Sequence, residues 1–394
     1  MSNGAIPYGR QQINQEDIDA VTAALQADYL TQGPRIGAFE EAFAKYVGSE
    51  YAVAVSNGTA ALHLNAMALG VKPGDKVITT PITFAASANC VRYCGGEVVF
   101  ADIDPETYLL DIHEVRKVLE KDKAIKGLIP VNFAGRAVDL EAFRELADEF
   151  GLWIIEDACH APGGYFNTQS GIASRCGSGE FADLAIFSFH PVKHIATGEG
   201  GMITTNDQTL YEKLMQLRTH GITRDQNAFQ NDLVIASGEM QGDWPGWYME
   251  MQELGYNYRL SDIQAALGIS QLVRAEKGVE KRRAIAKTYD LAFKGKDFLF
   301  GQSGSVEGHA YHLYVIEVKD RLGLYNHLRA HKVFTQVHYI PTHLMPYYRQ
   351  FDWNPGDMPR AEAYYSRCLS LPMFPALTAD EQQYVIELIL NYYE

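Results

Sequence analysis

The chain has 394 residues, of which 47% are hydrophobic, and a formal net charge of −15. Such a length and apolar content can bury one large core and one smaller domain. The acidic balance argues against a nucleic-acid surface and against an anionic membrane face, because both require clustered lysine and arginine, so anionic substrates would have to be bound by individual basic side chains.

Apolar runs and helix-forming segments alternate along the first half of the chain. Helices are predicted for residues 15–26 and 37–47, the second because Phe39, Phe43 and Val47 recur every four residues. From residue 51 to 205 a strand is repeatedly followed by a helix, which predicts an α/β fold with a mostly parallel, doubly wound sheet. The seven strand candidates are centred on Val53, Val77, Val98, Leu128, Ile154, Ala185 and Met202.

The first candidate binding element follows the strand at 51–55. Small residues lead from this strand into a helix-forming segment, 60–69. The backbone amides of Gly58, Thr59 and Ala60 would then lie at the positive end of a helix, where anions bind. The alternative is an ordinary helix cap. No G-x-G-x-x-G follows a strand and no P-loop pattern occurs, so dinucleotide and P-loop interpretations lose their main support.

A second candidate is an acid at the end of a buried strand. The apolar run 151–155 leads directly into Glu156 and Asp157. Open α/β sheets bind ligands at the carboxyl ends of their strands, and a buried carboxylate needs a cation or several donors. A protonated pyridine nitrogen is one such partner, and it would make the ring of pyridoxal phosphate (PLP) an electron sink. The alternative interpretation is a helix N-cap aspartate.

The third candidate is Lys193, which follows the apolar strand 184–189 in a loop containing Gly198, Gly200 and Gly201. Glycines allow such a loop to approach a ligand closely. A poorly hydrated lysine has a lowered pKa, so its neutral amine can act as a nucleophile. The alternative is an ordinary surface lysine.

The sequence predicts two domains. Residues 1–254 would form a large cofactor-binding domain, with a lid or inter-subunit arm near 219–254 that is rich in Gly, Asp, Gln and Trp and is a candidate for holding a sugar or a uracil. Residues 255–394 would form a small α+β domain. Its predicted elements are a long helix at 262–289, strands near 312–318 and 335–338, and a final helix at 379–391.

The five cysteines favour a cytoplasmic protein with reduced thiols. Their number is odd and no C-x-x-C pair occurs. Cys90 and Cys94 could share a helix face, but two thiols alone do not make a zinc site, and no metal is predicted. The sequence begins without the apolar region of a signal peptide, and no run approaches transmembrane length.

A phosphate loop, a strand-end aspartate and a strand-end lysine follow one another in this chain. Over nearly its whole length the chain resembles the DegT/StrS-type sugar-nucleotide aminotransferases, which are fold-type I PLP enzymes that act as homodimers with shared active sites. Within them it is most similar to the 4-aminotransferases of the pseudaminic acid pathway. The segments that carry the resemblance are 6–10, 56–64, 80–84, 100–107, 188–193, 220–224, 255–262 and 337–341.

The resemblance implies roles for individual residues. Lys193 would attach the cofactor and move a proton, and Asp157 would pair with the pyridine nitrogen. Further cofactor contacts are implied for His160 at the ring hydroxyl, Phe84 on the ring face, Thr59, Ala60 and Ser188 at the phosphate side, and Asn257 reaching the phosphate from a second subunit. Phe84 alone could equally be core, and His160 a structural hydrogen bonder.

The implied reaction moves the amino group of L-glutamate to C4 of a UDP-linked 4-keto-6-deoxy N-acetyl sugar, leaving 2-oxoglutarate. Arg259 would contact the carboxylate of the amino donor, and Arg224 and Tyr8 would contact substrate. Three alternatives stay open. They are a 4-aminotransferase for another keto sugar nucleotide (the bacillosamine route or a dTDP sugar), a related sugar dehydratase, and a non-catalytic ligand-sensing protein. Lys193 argues against the dehydratase, in which a histidine replaces the lysine.

Overall fold

The computed structural model describes residues 4–394. Sixteen strands and fourteen α-helices lie in this part of the chain. The strands are β1 (Ile6–Pro7), β2 (Tyr51–Val55), β3 (Lys76–Thr79), β4 (Glu97–Phe100), β5 (Ile125–Ile129), β6 (Trp153–Asp157), β7 (Tyr165–Asn167), β8 (Ala173–Arg175), β9 (Leu184–Ser188), β10 (Gly201–Thr205), β11 (Ile222–Thr223), β12 (Glu250–Met251), β13 (Leu299–Gln302), β14 (Tyr314–Val318), β15 (Val333–Phe334) and β16 (Cys368–Leu371).

The helices alternate with these strands through the first half of the chain. They are α1 (Gln15–Leu25), α2 (Pro34–Val47), α3 (Gly58–Ala68), α4 (Ala86–Tyr93), α5 (Ile112–Lys121), α6 (Leu140–Phe150), α7 (Gln208–Leu217), α8 (Leu233–Ser237), α9 (Asp262–Leu272), α10 (Ala275–Phe293), α11 (Arg321–Ala330), α12 (Pro346–Arg349), α13 (Pro359–Arg367) and α14 (Ala379–Tyr393). Short 3-10 turns lie at Phe133–Gly135, Gln226–Ala228 and Thr342–Leu344.

A seven-stranded sheet organises the large core, in the order β2-β10-β9-β6-β5-β3-β4. Strand β10 runs antiparallel to both of its neighbours, and the other adjacent pairs are parallel. Alternate residues of β2 belong to different cores: Val53 packs in the cluster that contains α3, and Ala54 in the cluster that contains α2. Since successive strand residues face opposite sides, helices cover both faces of the sheet. The predicted doubly wound α/β fold is confirmed.

All seven strand candidates of the sequence lie in this sheet. They were recognisable because each contains a short stretch of apolar residues, as expected of strands in a sheet covered on both faces. The helices predicted at 15–26 and 37–47 are also present, as α1 and α2. Helix α2 begins earlier than predicted, with Pro34 in its first turn, where proline's missing N–H costs no hydrogen bond.

A second apolar core surrounds a three-stranded antiparallel sheet, β13-β14-β16, and the helices α10, α11 and α14. Ile6, near the start of the described chain, packs in this core, and β1 pairs with β15. Helix α9 instead packs against α1 and α2. The domain boundary at residue 255 stays a prediction.

Two predicted elements of the second half are wrong. The single helix at 262–289 is two helices, because the backbone leaves helical geometry at Arg274 (φ −112°, ψ 10°), whose side chain binds Asp17 in α1. The strand at 335–338 is a lone bridge between Gln336 and Ser370. Beyond the bridge, the carbonyl oxygen of His338 accepts a hydrogen bond from Tyr364 Oη, and its Nδ1 lies 2.8 Å from Ser370 Oγ. These polar groups of His338 therefore pair with side chains and not with a neighbouring strand.

The segment 219–254, predicted as a lid or an inter-subunit arm, is closed at its base by the antiparallel pair β11 and β12. Its interior is a small aromatic cluster in which the ring centroid of Phe229 lies 4.7 Å from Trp244 and 4.9 Å from Tyr248. Trp247 on the same segment is 76% exposed. The choice between lid and arm stays open. Within residues 4–394, no helix is both long and apolar enough to cross a bilayer.

Candidate active site

Three of the predicted elements meet at one edge of the large sheet. Gly201, the first residue of β10, lies in register between Val55 at the end of β2 and Ser188 at the end of β9. Asp157 ends the neighbouring strand β6, opposite Ile186 of β9. The phosphate loop, the acid and the start of the lysine loop therefore share this edge, where open α/β sheets bind ligands.

The turn from β2 into α3, predicted to bind an anion, is a capped helix start. Asn57 is the N-cap: its Oδ1 accepts the amide of Ala60 at 2.8 Å, and its carbonyl accepts the amide of Ala61. The amides of Gly58 and Thr59 belong to the first turn, which has no intrahelical acceptors. The Ala60 amide is thus already engaged by the cap, and Gly58 and Thr59 offer the amides best suited to a phosphate.

Close packing holds this loop against the sheet. A Cβ at Gly58 would lie 3.0 Å from Ser188 Cβ and 3.5 Å from Cys159 Sγ. A Cβ at Gly201 would lie 2.7 Å from the carbonyl carbon and oxygen of Asn57. At Gly201 the backbone of the loop passes too close for a side chain, whereas at Gly58 a side chain would require Ser188 to shift by a few tenths of an ångström.

Asp157 is 5% exposed, and both of its carboxylate oxygens accept hydrogen bonds. Ser87 Oγ donates to Oδ2 at 2.6 Å, and the Cys159 amide donates to Oδ1 at 3.1 Å. Because the Ser87 hydrogen is used on Asp157, the contact between Thr83 Oγ1 and Ser87 Oγ at 2.7 Å has Thr83 as its donor. The carboxylate is held in one orientation by this relay.

The sequence analysis missed Ser87 and Thr83. A serine in the first turn of a helix normally reads as part of the cap, and here it is fully buried beneath the carboxylate. The only local signal was their position on either side of Phe84, a few residues beyond β3. Their distance from Asp157 along the chain gave no indication of the contact.

Lys193 lies in a turn closed by its own amide, which donates to the carbonyl of His190 at 2.8 Å. The side chain is partly buried. Burial lowers the pKa of its amine, and the nearby groups of Cys159 and Asp157, which favour the charged form, do not compensate. The lowered pKa increases the fraction of neutral amine, the form that acts as nucleophile and base.

His160 is buried and neutral at physiological pH, because burial and the nearby charge of Lys193 drive its pKa well below the usual range. Its Nδ1 accepts the Ala134 amide at 3.3 Å, so hydrogen-bond geometry assigns the ring proton to Nε2. That nitrogen lies 3.3 Å from Tyr339 Oη. His160 thus has a fixed tautomer and a tyrosine partner that the sequence analysis did not identify.

Phe84 is not a core residue: 64% of it is exposed. Its ring centroid lies 6.4 Å from that of Tyr339, the partner of His160. Leaving so large an apolar ring exposed beside buried polar groups is unfavourable unless something covers it. The alternative that assigned Phe84 to the core is excluded, and a stacking role stays a prediction.

The remaining predicted residues lie around this edge and on the arm. Tyr8 is partly buried with its ring 5.3 Å from that of His338. The segment Asn257 to Arg259 runs beside β2 of its own chain, since Arg259 bridges Val55. Arg224 follows β11 at the base of the arm.

Comparisons with known proteins agree with this geometry. Residues 11–390 match the DegT/DnrJ/EryC1/StrS aminotransferase family. The chain belongs to this family. It is 37% identical to the spore coat polysaccharide biosynthesis protein SpsC of Bacillus subtilis, covering 98% of this chain and 97% of that protein. It is 33% identical to the UDP-4-amino-4,6-dideoxy-N-acetyl-beta-L-altrosamine transaminase of Campylobacter jejuni, covering 99% and 98%.

Solved structures of the family have the same fold. PseC of Helicobacter pylori, an aminotransferase of pseudaminic acid biosynthesis, superposes with a TM-score of 0.87 at 30% identity, covering 98% of both chains. The PLP form of the putative sugar aminotransferase Spr1654 of Streptococcus pneumoniae superposes with a TM-score of 0.84 at 26% identity, covering 97% of both. The protein is therefore a PLP-dependent aminotransferase with the fold-type I architecture.

The residues present fit PLP. A helix start with two available amides suits the phosphate, a fixed carboxylate suits a protonated ring nitrogen, and an exposed phenylalanine suits the ring face. Lys193 supplies the amine that such a cofactor requires. In this aminotransferase the individual roles of these residues stay predictions.

Proposed function

We propose that the protein transfers the amino group of L-glutamate to C4 of a UDP-linked 4-keto-6-deoxy N-acetyl sugar, a pseudaminic acid precursor. The observation that carries the proposal is the joint position of Lys193, Asp157 and the Gly58–Thr59 amides at one sheet edge. The choice of sugar is supported by the relatives named as an altrosamine transaminase and as a pseudaminic acid enzyme.

When bound, PLP supplies the electron sink that lets an amino group leave one carbon and be delivered to another. The chain's own contribution is positioning. Asp157, fixed by Ser87 and the Cys159 amide, would keep the pyridine nitrogen protonated. His160, whose tautomer is set by the Ala134 amide, would present a neutral Nε2–H towards Tyr339 and the ring hydroxyl.

Lys193 would attach the cofactor and then move the proton. Its lowered pKa increases the share of unprotonated Nζ, the form that would accept a proton from the α-carbon of glutamate. Within each half-reaction the same nitrogen would take a proton from one carbon and give it to another, from the α-carbon of glutamate to the cofactor in the first and from the cofactor to C4 of the sugar in the second. A single amine would therefore serve as base and then as acid in both halves.

We further propose that the enzyme is a homodimer in which Asn257 of one subunit contacts the cofactor phosphate of the other. Two observations support a covering partner. Phe84 is largely exposed at the site, and the arm carries exposed apolar side chains such as Trp247 and Leu254, 76% and 74% exposed. A cytoplasmic location stays a prediction from cysteine usage.

The central test compares Lys193→Ala with Lys287→Ala, a lysine exposed on α10. We expect Lys193→Ala to keep the far-ultraviolet circular dichroism spectrum of the wild type, to lose the visible absorbance of bound cofactor, and to lose turnover. Lys287→Ala should behave as the wild type. Retained turnover in purified Lys193→Ala would refute the proposed role of this amine.

A second experiment tests the sugar. The purified enzyme is incubated with glutamate and a panel of UDP- and dTDP-linked 4-keto-6-deoxy sugars of both configurations, and the products are identified by mass spectrometry. We expect amination of the UDP-linked L-configured N-acetyl sugar. Preferential amination of the D-configured UDP sugar or of a dTDP sugar would overturn the substrate and keep the reaction class. The panel is needed because SpsC, a relative of higher identity, carries no substrate in its name.

A further inference from the structure

A cavity of about 230 Å³ lies beside Lys193, between the N-terminal segment and the start of α10. No aspartate or glutamate lines it. Its basic lining residues are Arg10, Lys193, Arg274, Lys277, Lys281 and Arg282. The chain as a whole has a net charge of −15, whereas the surroundings of this cavity are positively charged.

Arg282 is the most informative of these residues because it is 1% exposed. Its Nη1 donates to the carbonyl oxygens of Tyr311, His312 and Met373, while its Nε is buried without a hydrogen-bond partner in the described chain. Among residues 4–394 it forms no ion pair with a carboxylate. Burial accordingly lowers its pKa to about 9. A buried cation without a counter-charge is unfavourable, and an anion in the cavity would supply one.

The other cations are also left without acids. Of the six, Arg274 alone has an ion pair within the described residues, with Asp17. Lys277 and Lys281 lie one turn apart on α10, where like charges repel each other. This arrangement concentrates positive charge on the side of the helix that lines the cavity.

The size of the cavity restricts its occupant. A volume of about 230 Å³ is well above the ~10–15 Å³ that one water needs, so the cavity has room for a small anion. Gly278, in the first turn of α10, lines it without a side chain. Glycine is less favourable than alanine inside a helix, so Gly278 lowers the stability of α10. Its missing side chain leaves room in the cavity.

We propose that this cavity binds a small, doubly charged oxyanion next to Lys193, either a dicarboxylate or inorganic phosphate. The dicarboxylate would be the amino donor or its 2-oxo product, and that occupant rests on the proposed function, whereas phosphate does not. Arg259 is the donor contact that the family resemblance implies. The cavity is a separate cationic site built from the N-terminal segment, the lysine loop and α10.

The test uses the full-length, cofactor-loaded protein and isothermal titration calorimetry. 2-Oxoglutarate, inorganic phosphate and uncharged dimethyl 2-oxoglutarate are titrated in turn. We expect one of the two anions to bind and the ester not to bind. Where the variants below weaken it, binding of 2-oxoglutarate alone identifies a dicarboxylate site in this cavity rather than binding at the cofactor centre, and binding of phosphate alone identifies a phosphate site. Binding of neither anion overturns the proposal.

Two variants locate the binding in this cavity. Lys277→Gln/Lys281→Gln removes two charges, and we expect the Kd to rise about tenfold, the equivalent of one strong charged contact. Gly278→Leu keeps every charge and fills the space, and its Cβ would meet Pro375 Cγ no closer than 3.8 Å, so the helix should still form. Lys287→Gln, on the same helix away from the cavity, should leave the Kd unchanged.

The outcomes separate this site from the proposed reaction. Anion binding that is unchanged in both cavity variants overturns the site, even if the enzyme aminates a sugar. Anion binding that weakens in these variants establishes the site, even if no sugar of the panel is aminated. If the anion site is established but no sugar of the panel is aminated, the proposed function is wrong and the site is a phosphate or dicarboxylate site of another reaction.

Discussion

Replacing Gly201 with alanine tests the packing on which the cofactor site depends. Gly201 begins β10 and lies in register between β2 and β9. Its new Cβ would lie 2.7 Å from the carbonyl carbon and oxygen of Asn57 and 2.9 Å from the nitrogen of Gly58. These are backbone atoms of the phosphate loop, so no side chain can rotate away and the loop itself must move.

The expected magnitude follows from those distances. An ordinary contact of a Cβ begins near 3.4 Å, so the loop must shift by roughly half an ångström or more, and such overpacking costs about 1–3 kcal/mol. If the loop reaches its original position only when the cofactor phosphate is bound, the whole cost appears in PLP affinity. At 1.4 kcal/mol per tenfold change, the Kd for PLP rises about 5- to 150-fold.

The assay is a titration of cofactor-free protein with PLP, followed by visible absorbance, together with thermal unfolding of the cofactor-free form. The matched control is Gly37→Ala in α2, where a Cβ would meet no atom within 4 Å and should stabilise the helix slightly. If Gly201→Ala has both the PLP affinity and the unfolding temperature of the wild type, the close contact between β10 and the phosphate loop does not exist in solution.

Further predictions concern buried polar groups in the cofactor-free protein. Ser87→Ala removes a hydrogen bond to the Asp157 carboxylate and should lower the free energy of unfolding by about 1.5–3 kcal/mol in denaturant titrations, and an unchanged value would contradict the relay. Lys193→Met should raise the melting temperature by scanning calorimetry. Because the pKa of this lysine is lowered in the folded state, the unfolded chain binds more protons than the folded chain as the pH rises towards 10.5, and the wild type gains stability over that range. The advantage of the variant should therefore shrink as the pH rises. A constant advantage would argue against the lowered pKa. Arg218→Met leaves Glu40 without its buried partner and should destabilise by about 3–5 kcal/mol in denaturant titrations, whereas Glu40 and Arg218 changed together should cost less.

The sequence predicted the large sheet well, and the reason is physical. Strands such as β6 and β9 are buried on both faces, so each contains a short apolar run that has few other interpretations. Asp157 and Lys193 were found because Asp157 ends one such strand and Lys193 lies in the loop a few residues beyond the other. A polar residue at the end of a buried strand can be assigned to the ligand-binding edge from the local sequence, because the strand itself fixes where that residue lies.

The second half of the chain was predicted less well, since long-range contacts decide its structure. The break between α9 and α10 lies at Arg274, whose side chain binds Asp17, 257 residues away in sequence. The pattern of apolar residues alone continues across the break, which is why it predicted one helix. Ser87 was missed for a similar reason, because its contact with Asp157 spans 70 residues.

The cofactor residues and the cations of the proposed anion cavity are brought into place in different ways. The residues proposed to handle the cofactor lie at strand ends or in the loops just beyond them, close to a rigid sheet, and the main ones could be recognised from the sequence. The cations of the proposed anion cavity come instead from three distant segments, represented by Arg10, Lys193 and Lys277. Arg274, the N-cap residue of α10, ties two of these segments together by donating to the carbonyl of Gln12, a contact that spans 262 residues. Since only the folded chain brings these charges together, the anion cavity should be lost under mild denaturation that separates α10 from the N-terminal segment, before the large sheet unfolds.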